Sequence, residues 1–237
     1  MHSKKLESLC LMAVSVYVVF LGLSRDLDYY IHPRYSIFTI VMAGVCLTVT
    51  LTTLIFTSRV KKPSHEHDQQ SPLSIFPMAL LLMAAFVFPA KALQSATVAQ
   101  RVSDAQTTRT AEHRDVTLLN GSSRGLGIID WAQLIVSKTD PAFYQHKPAS
   151  ISGFIFDAKL GSNTVWVARF AVTCCAVDAQ PVGVPVHIEN WSGLYKQDDW
   201  VKVEGEFAVS STAVGSQLTL IPTKIEKIEE PQNPYVN

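Results

Sequence analysis

The side chains of this sequence that could do chemistry are few, and the densest set is Thr173-Cys174-Cys175-Ala176-Val177-Asp178-Ala179. Thiolates and a carboxylate are ligands for Zn²⁺ or another soft divalent metal. Adjacent residues on a continuing strand point to opposite faces, so Cys174 and Cys175 reach one ion only if the chain turns there. The same pair admits a vicinal disulfide. Adjacent Cα atoms are about 3.8 Å apart, below the usual disulfide range, so that bridge would be strained and easily reduced. A third reading makes Cys174 a buried core residue and Cys175 a half-exposed thiol. The second set is His65-Glu66-His67-Asp68. Here His65 and His67 alternate with carboxylates and either collect Zn²⁺ or belong to a solvated polar loop. His113, His146 and His187 are scattered and read as surface or satisfied core residues.

No Walker loop, HExxH or GxSxG occurs, and Gly121-Ser122-Ser123-Arg124-Gly125-Leu126-Gly127 lacks P-loop spacing. The expectation is therefore a protein that is not an enzyme, with no catalytic residues to assign. Of the 237 residues 48% are apolar and 17% charged, and mean hydropathy is positive, which excludes a disordered chain and a strongly basic nucleic-acid binder. No nucleic acid is expected as a partner. The formal charge is zero, but it divides. Residues 1–92 hold 8 Lys and Arg against 5 Asp and Glu, and the remainder 12 against 15.

Three hydrophobic stretches occupy the first part. They predict membrane spans at about 6–24, 36–58 and 72–90, within a transmembrane region of residues 1–92. About 20 apolar residues cross a bilayer, so the first, with its apolar heart at Leu9–Leu23, is marginal. The second holds 24 uncharged residues between Arg34 and Arg59, and the third contains Pro72, Pro77 and Pro89. No charged residue interrupts the middle of any span, so the chain shows no intramembrane proton relay of its own. Lys4, Lys5, Arg59, Lys61 and Lys62 fall on one side, Arg25 and Arg34 on the other. The positive-inside rule then predicts a cytoplasmic N-terminus and an extracytoplasmic C-terminal part, integral to the plasma (inner) membrane, with the lipid bilayer as a partner. Tyr29, Tyr30, Tyr35 and Arg34, around His32, read as an interfacial anchor.

Residues 93–125 are polar and read as a stalk or irregular cover. Residues 126–237 read as an α+β, mainly β domain. Ile128, Trp131, Ala132, Ile135 and Val136 share one helix face. Strands are predicted at Ala149–Asp157, Thr164–Cys174, Val182–Ile188, Trp200–Val209 and Gln217–Ile225. Ile151-Ser152-Gly153-Phe154 and Val203-Glu204-Gly205-Glu206-Phe207 both place a glycine after an apolar alternation, which suits a strand bending sharply to close a barrel. Five short strands with one longer connection, Glu189 to Asp199, predict an OB-like small barrel.

The tract Arg169-Phe170-Ala171-Val172-Thr173-Cys174-Cys175-Ala176-Val177-Asp178 resembles the central motif of the YcgQ-like permease-subunit family. Asp198-Asp199-Trp200-Val201-Lys202-Val203-Glu204-Gly205 and Asn233-Pro234-Tyr235-Val236 resemble it too. The resemblance covers nearly the whole chain. It implies a non-enzymatic accessory subunit of a two-component membrane permease, with a separate polytopic permease subunit as partner and an outer domain for substrate or metal recognition. The alternative is a membrane-anchored extracytoplasmic metal-binding or thiol-redox protein. The matching tract singles out Arg169, Cys174, Cys175 and Asp178. Family members that carry His in place of the first cysteine favour a metal over a disulfide. Long His-rich inter-span loops of some relatives shrink here to His65 and His67, which argues against metal storage in that loop.

Overall fold

The computed structural model describes residues 2–57, 80, 83, 91–105, 125–212 and 215–236. The chain divides into two compact units, Met1–Lys91 and Ala92–Asn237.

The first unit contains helix α1 (His2–Ser24) and helix α2 (Pro33–Thr57), joined by a 3₁₀ turn at Asp26–Tyr29. Arg25 takes the left-handed conformation, φ 66°, that ends a helix. The Ser24 hydroxyl donates to Asp26 (2.7 Å), and the Ser36 hydroxyl to Asp28 (2.9 Å), so both acidic residues of the turn hold it in place. His32 Nδ1 accepts the N–H of Arg34 at 3.0 Å and satisfies a donor of the first turn of α2, behind Pro33 at its favoured first position. The hydroxyls of Thr39, Thr48, Thr50, Thr52 and Thr53 donate to carbonyls three or four residues back at 2.7–2.9 Å. This threonine-rich helix therefore needs no water for those hydroxyls.

Against the three expected spans, the described residues contain one helix long and apolar enough to cross a membrane, Pro33–Phe56. A signal sequence near the N-terminus passes the same test of length and composition. Within α1 the apolar stretch Ser8–Ser24 counts as a shorter apolar helix. The third stretch, 72–90, lies outside the described residues except for Leu80 and Met83.

The second unit is a five-stranded barrel with additions. Its strands are β1 (Pro148–Phe156), β2 (Thr164–Ala171), β3 (Gln180–His187), β4 (Trp200–Thr212) and β5 (Gly215–Lys227). Antiparallel pairs join β1 to β2, β2 to β3, β1 to β4 and β4 to β5. A parallel pairing at Val186↔Leu220 joins β3 to β5 and closes the ring. The alternation in the sequence sorts the two faces as expected. Ile151, Ile155, Val165, Val167, Val184, Val186, Val201, Val203 and Leu220 fill the interior. Helix α3 (Ser95–Ala105) belongs to this unit and corrects the expected stalk over part of its length, while residues 106–124 lie outside the described residues. The predicted amphipathic helix is α4 (Ile128–Ser137). Its Trp131 is fully buried, with ring centroids 4.8 Å from Phe207, and joins the interior cluster. A short helix α5 (Trp191–Leu194) lies between β3 and β4, and β6 (Tyr235–Val236) adds to the edge of β2 through Phe170↔Tyr235.

The two glycines of the sequence echo sit where strands bend. The echoing tracts pair with each other, Ile151 opposite Val203 and Ala149 opposite Gly205. Next to Gly153, β1 begins to pair with β2 as well as β4, so Phe154 faces both Ala168 and Trp200. A Cβ at 153 would collide with the Ala168 carbonyl. Gly205 marks a register shift against β5, and a Cβ there would collide with the Ile221 carbonyl. Gly205→Ala is expected to lower stability by about 1–3 kcal/mol, while Gly125→Ala, with nothing within 4 Å of its Cβ, is expected to be neutral. Urea denaturation followed by tryptophan fluorescence checks this, and equal midpoints for the two variants would contradict it.

Candidate functional site

Strand β2 ends at Ala171, three residues earlier than the sequence predicts, and the chain turns before β3 begins at Gln180. The turn is closed by the N–H of Asp178 donating to Cys175 O at 3.0 Å. The Asp178 carboxylate organises the rest. It accepts the N–H groups of Thr173 (3.3 Å), Cys174 (2.7 Å) and Cys175 (3.3 Å). Three converging amides fix the loop around one carboxylate, so the adjacent cysteines no longer alternate as they would on a strand. The Cys174 thiol donates toward Cys175 Sγ at 3.4 Å. Ligand atoms of Cys174, Cys175 and Asp178 all lie within 4.8 Å of one another.

Cys174 is exposed and Cys175 half-buried, and both are free thiols. This corrects the reading of Cys174 as a core residue. Hydrogen bonds to Asp178 and then to Cys175 push the Cys174 thiol up to about 12. The hydrogen bond from Cys174, followed by that from the Val177 N–H, holds Cys175 below the ordinary thiol value. Burial alone would raise the Asp178 carboxyl. Hydrogen bonds from the Cys174 thiol and from the N–H groups of Cys174, Cys175 and Thr173 outweigh burial and hold it below the usual carboxylate value.

Helix α3 supports this loop from a distance in sequence. Arg101 Nη2 donates to Ala176 O at 3.1 Å, and its buried Nη1 has no hydrogen-bond partner. The start of α3 is held by Asp198, whose carboxylate accepts the Ser95 N–H and hydroxyl, both at 2.8 Å. A carboxylate at a helix N-terminus is electrostatically favourable and satisfies an open donor. Val98 of α3 is fully buried against Phe154, Phe156, Ala168, Phe170, Val172, Trp200 and Tyr235, on the outside of the barrel.

Arg169 is not part of the thiol site. Its guanidinium donates to the carbonyls of Asn233 (2.6 Å), Pro234 (2.9 Å) and Tyr235 (3.3 Å) and lies 5.5 Å from the Trp200 ring. It straps the segment carrying β6 onto the barrel. The three tracts of the sequence motif thus meet: Arg169 binds Asn233–Tyr235, Asp198 seats α3, and Tyr235 packs beside Trp200 in the same outer cluster. Sequence reasoning missed Arg101, which belongs to no motif and acts across 75 positions.

His65 and His67 lie outside the described residues. His146 is exposed, with Nδ1 3.7 Å from Glu206, beside a groove of about 570 Å³ lined by Gln145, Phe207, Leu218 and Thr223. His187 keeps a buried Nδ1 without a hydrogen-bond partner. Neither joins the cysteines in the ligand cluster.

Two family models match this architecture, the DUF1980 N-terminal domain over residues 6–104 and the DUF1980 C-terminal domain over residues 129–237. The chain belongs to the DUF1980 family. No curated protein matches it. The DUF1980 N-terminal match runs through α3, so a segment assigned to that domain packs on the barrel of the DUF1980 C-terminal domain. The thiol loop and its Asp178 lie inside the DUF1980 C-terminal match, while Arg101 comes from the N-terminal one.

Two outcomes are expected. A thiol with lowered proton affinity carries thiolate at lower pH, so maleimide labelling across pH, read by peptide mass spectrometry, modifies Cys175 first, with Cys174 lagging until strongly alkaline pH. The reverse order would contradict the geometry. Arg169→Leu is expected to cost about 2–4 kcal/mol, since it removes the donor to the carbonyls of buried Pro234 and Tyr235. It should also speed hydrogen exchange at the Val172 amide, which donates to Val236 O at 3.1 Å. Unchanged exchange there would remove the strap role.

Proposed function

We propose that this chain is a non-enzymatic, membrane-anchored accessory subunit of a two-component permease. Its C-terminal barrel lies outside the cytoplasm and recognises the transported substrate or a metal at the loop between β2 and β3. The observation that carries the reading is a pairing within one chain. A helix long and apolar enough to span a membrane precedes a separate barrel unit that presents two thiols and a carboxylate together.

Further observations support it. Ile37, Phe38, Val41, Val45, Val49 and Phe56 of α2, and Leu9, Val16, Phe20 and Leu23 of α1, are exposed large apolar side chains. Such faces suit lipid or the helices of a larger membrane partner. The basic residues predict a cytoplasmic N-terminus, and crossings by the shorter apolar run of α1 and by the stretch at 72–90, added to that of α2, would carry the barrel outside. The order of strands around the barrel, β1-β2-β3-β5-β4, with a parallel β3–β5 pair, supports an OB-like assignment. Such barrels often bind ligands on the outside of β2 and β3. Here Val98 of α3 covers Phe170 and Ala168 on that side of β2, which leaves the β2–β3 loop as the presented chemistry.

A thiol-redox role for the same anchored chain is the second reading. It is favoured by the 3.4 Å separation of the Cys174 and Cys175 sulfurs. Exchange with a small disulfide would form the Cys174–Cys175 bond and release two small thiols, so electrons and protons balance. A mildly oxidised preparation should then lose both thiols together, and independent loss would exclude the exchange.

The accessory-subunit reading predicts that an affinity-tagged chain, extracted in mild detergent, brings a polytopic membrane protein with it, and that deleting this chain abolishes the partner's transport. Recovery of the chain alone, with transport unchanged, would sink it.

A further inference from the structure

The loop at Cys174–Asp178 is built for one cation of a particular kind. We infer that it is a three-donor site for a soft divalent ion, of which Zn²⁺ is the representative, with Cys174 Sγ, Cys175 Sγ and one Asp178 oxygen as ligands and a fourth position left to solvent. The inference deepens the proposed recognition role by naming what is recognised, and it does not depend on the permease partner.

Four observations converge. The donor atoms already lie within 4.8 Å of one another. The separation of the sulfurs selects among ions. Two thiolates on a tetrahedral Zn²⁺, each at about 2.3 Å, lie about 3.8 Å apart, whereas a linear two-coordinate ion needs about 4.6 Å. The observed 3.4 Å requires only a small opening to reach the first and a large one to reach the second. The carboxylate has capacity left. Its two oxygens offer about four acceptor sites, and backbone N–H groups take three. The Cys174 thiol hydrogen is donated to Cys175 Sγ, inside the donor cluster, where a cation would replace it. Finally, Cys174 is exposed and Val177 is 85% exposed, so the open side of the loop faces water.

The stoichiometry follows. Binding converts two thiols to thiolates, releases up to two protons, and leaves the carboxylate ionised as it was. Two thiolates and a carboxylate place a net charge of −1 around a divalent ion. Arg101, hydrogen-bonded to Ala176 in the middle of the loop, carries the compensating charge and acts as a positioning residue. A closed structural zinc site uses four protein ligands, whereas three plus an open position allow exchange. The geometry therefore fits an ion that is picked up and passed on, a different task from holding a fold together. Neither His146 nor His187 belongs to the ligand cluster.

The test uses the full chain in detergent under reducing conditions, with Co²⁺ alone as a spectroscopic probe and Zn²⁺ as competitor. One Co²⁺ per chain, with thiolate-to-cobalt charge-transfer absorption that Zn²⁺ abolishes, is the expected result. Cys174→Ser and Cys175→Ser should each weaken binding at least tenfold, with circular dichroism unchanged. Arg101→Lys should bind more tightly than Arg101→Ala, because the charge is kept. Absence of the charge-transfer band, or a band of equal affinity in either serine variant, would overturn the site. Metal binding without a co-purifying permease would keep this inference and sink the accessory role. Co-purification with no thiolate band would do the reverse.

Discussion

Strand β2 is apolar on both faces, and much of the second unit follows from that. Val165 and Val167 face the barrel interior, while Ala168 and Phe170 face outward, and all four are buried. A strand with two apolar faces needs two cores. The barrel supplies one. The other must be assembled outside it, from Val98 of α3, Tyr235 of β6 and the aromatic side chains Phe154 and Trp200. The polar contacts of this region serve that cover. Asp198 seats α3, Arg169 straps the segment before β6, and the Leu93 N–H reaches the Tyr235 hydroxyl at 3.3 Å. The thiol loop hangs from the end of the same doubly buried strand, so its position is inherited from the outer core.

This arrangement explains why the sequence motif is discontinuous. Arg169, the Asp198–Trp200 tract and Asn233–Tyr235 are far apart in the chain but form one assembly. Arg169 looks functional because a charged residue sits in an apolar strand. Its partners are three backbone carbonyls, and backbone acceptors leave no mark on a sequence. The residue that does touch the loop, Arg101, sits in a polar stretch with no signature.

The barrel was legible because its signals are local. Alternating apolar residues, glycines at bends and Trp131 on one face of a helix are properties of short windows, and they placed five strands within a few residues. The exceptions have physical causes. The apolar residues of helix α3 are only alanines and valines, and it holds its place through Asp198 and Val98, contacts no window reveals. The cysteines looked like a strand end because Val172 continues the apolar alternation, yet the Asp178 carboxylate draws three amides inward and bends the chain. For α1 a hydropathy reading sees an apolar run, while crossing a bilayer also depends on length, and Ser8–Ser24 is a shorter apolar helix than Pro33–Phe56.

The strap at Arg169 has a kinetic side. Its carbonyl partners are made about 65 residues after it in synthesis, and β6 occupies the edge of β2 that β3 and β1 leave free. Until that segment arrives, a strand with apolar residues on both faces has an unpaired edge. Open edges of that kind are where chains join each other wrongly, and pairings so distant in sequence form late. During vectorial synthesis, the domain therefore passes through a stage in which its hazardous edge precedes its cover.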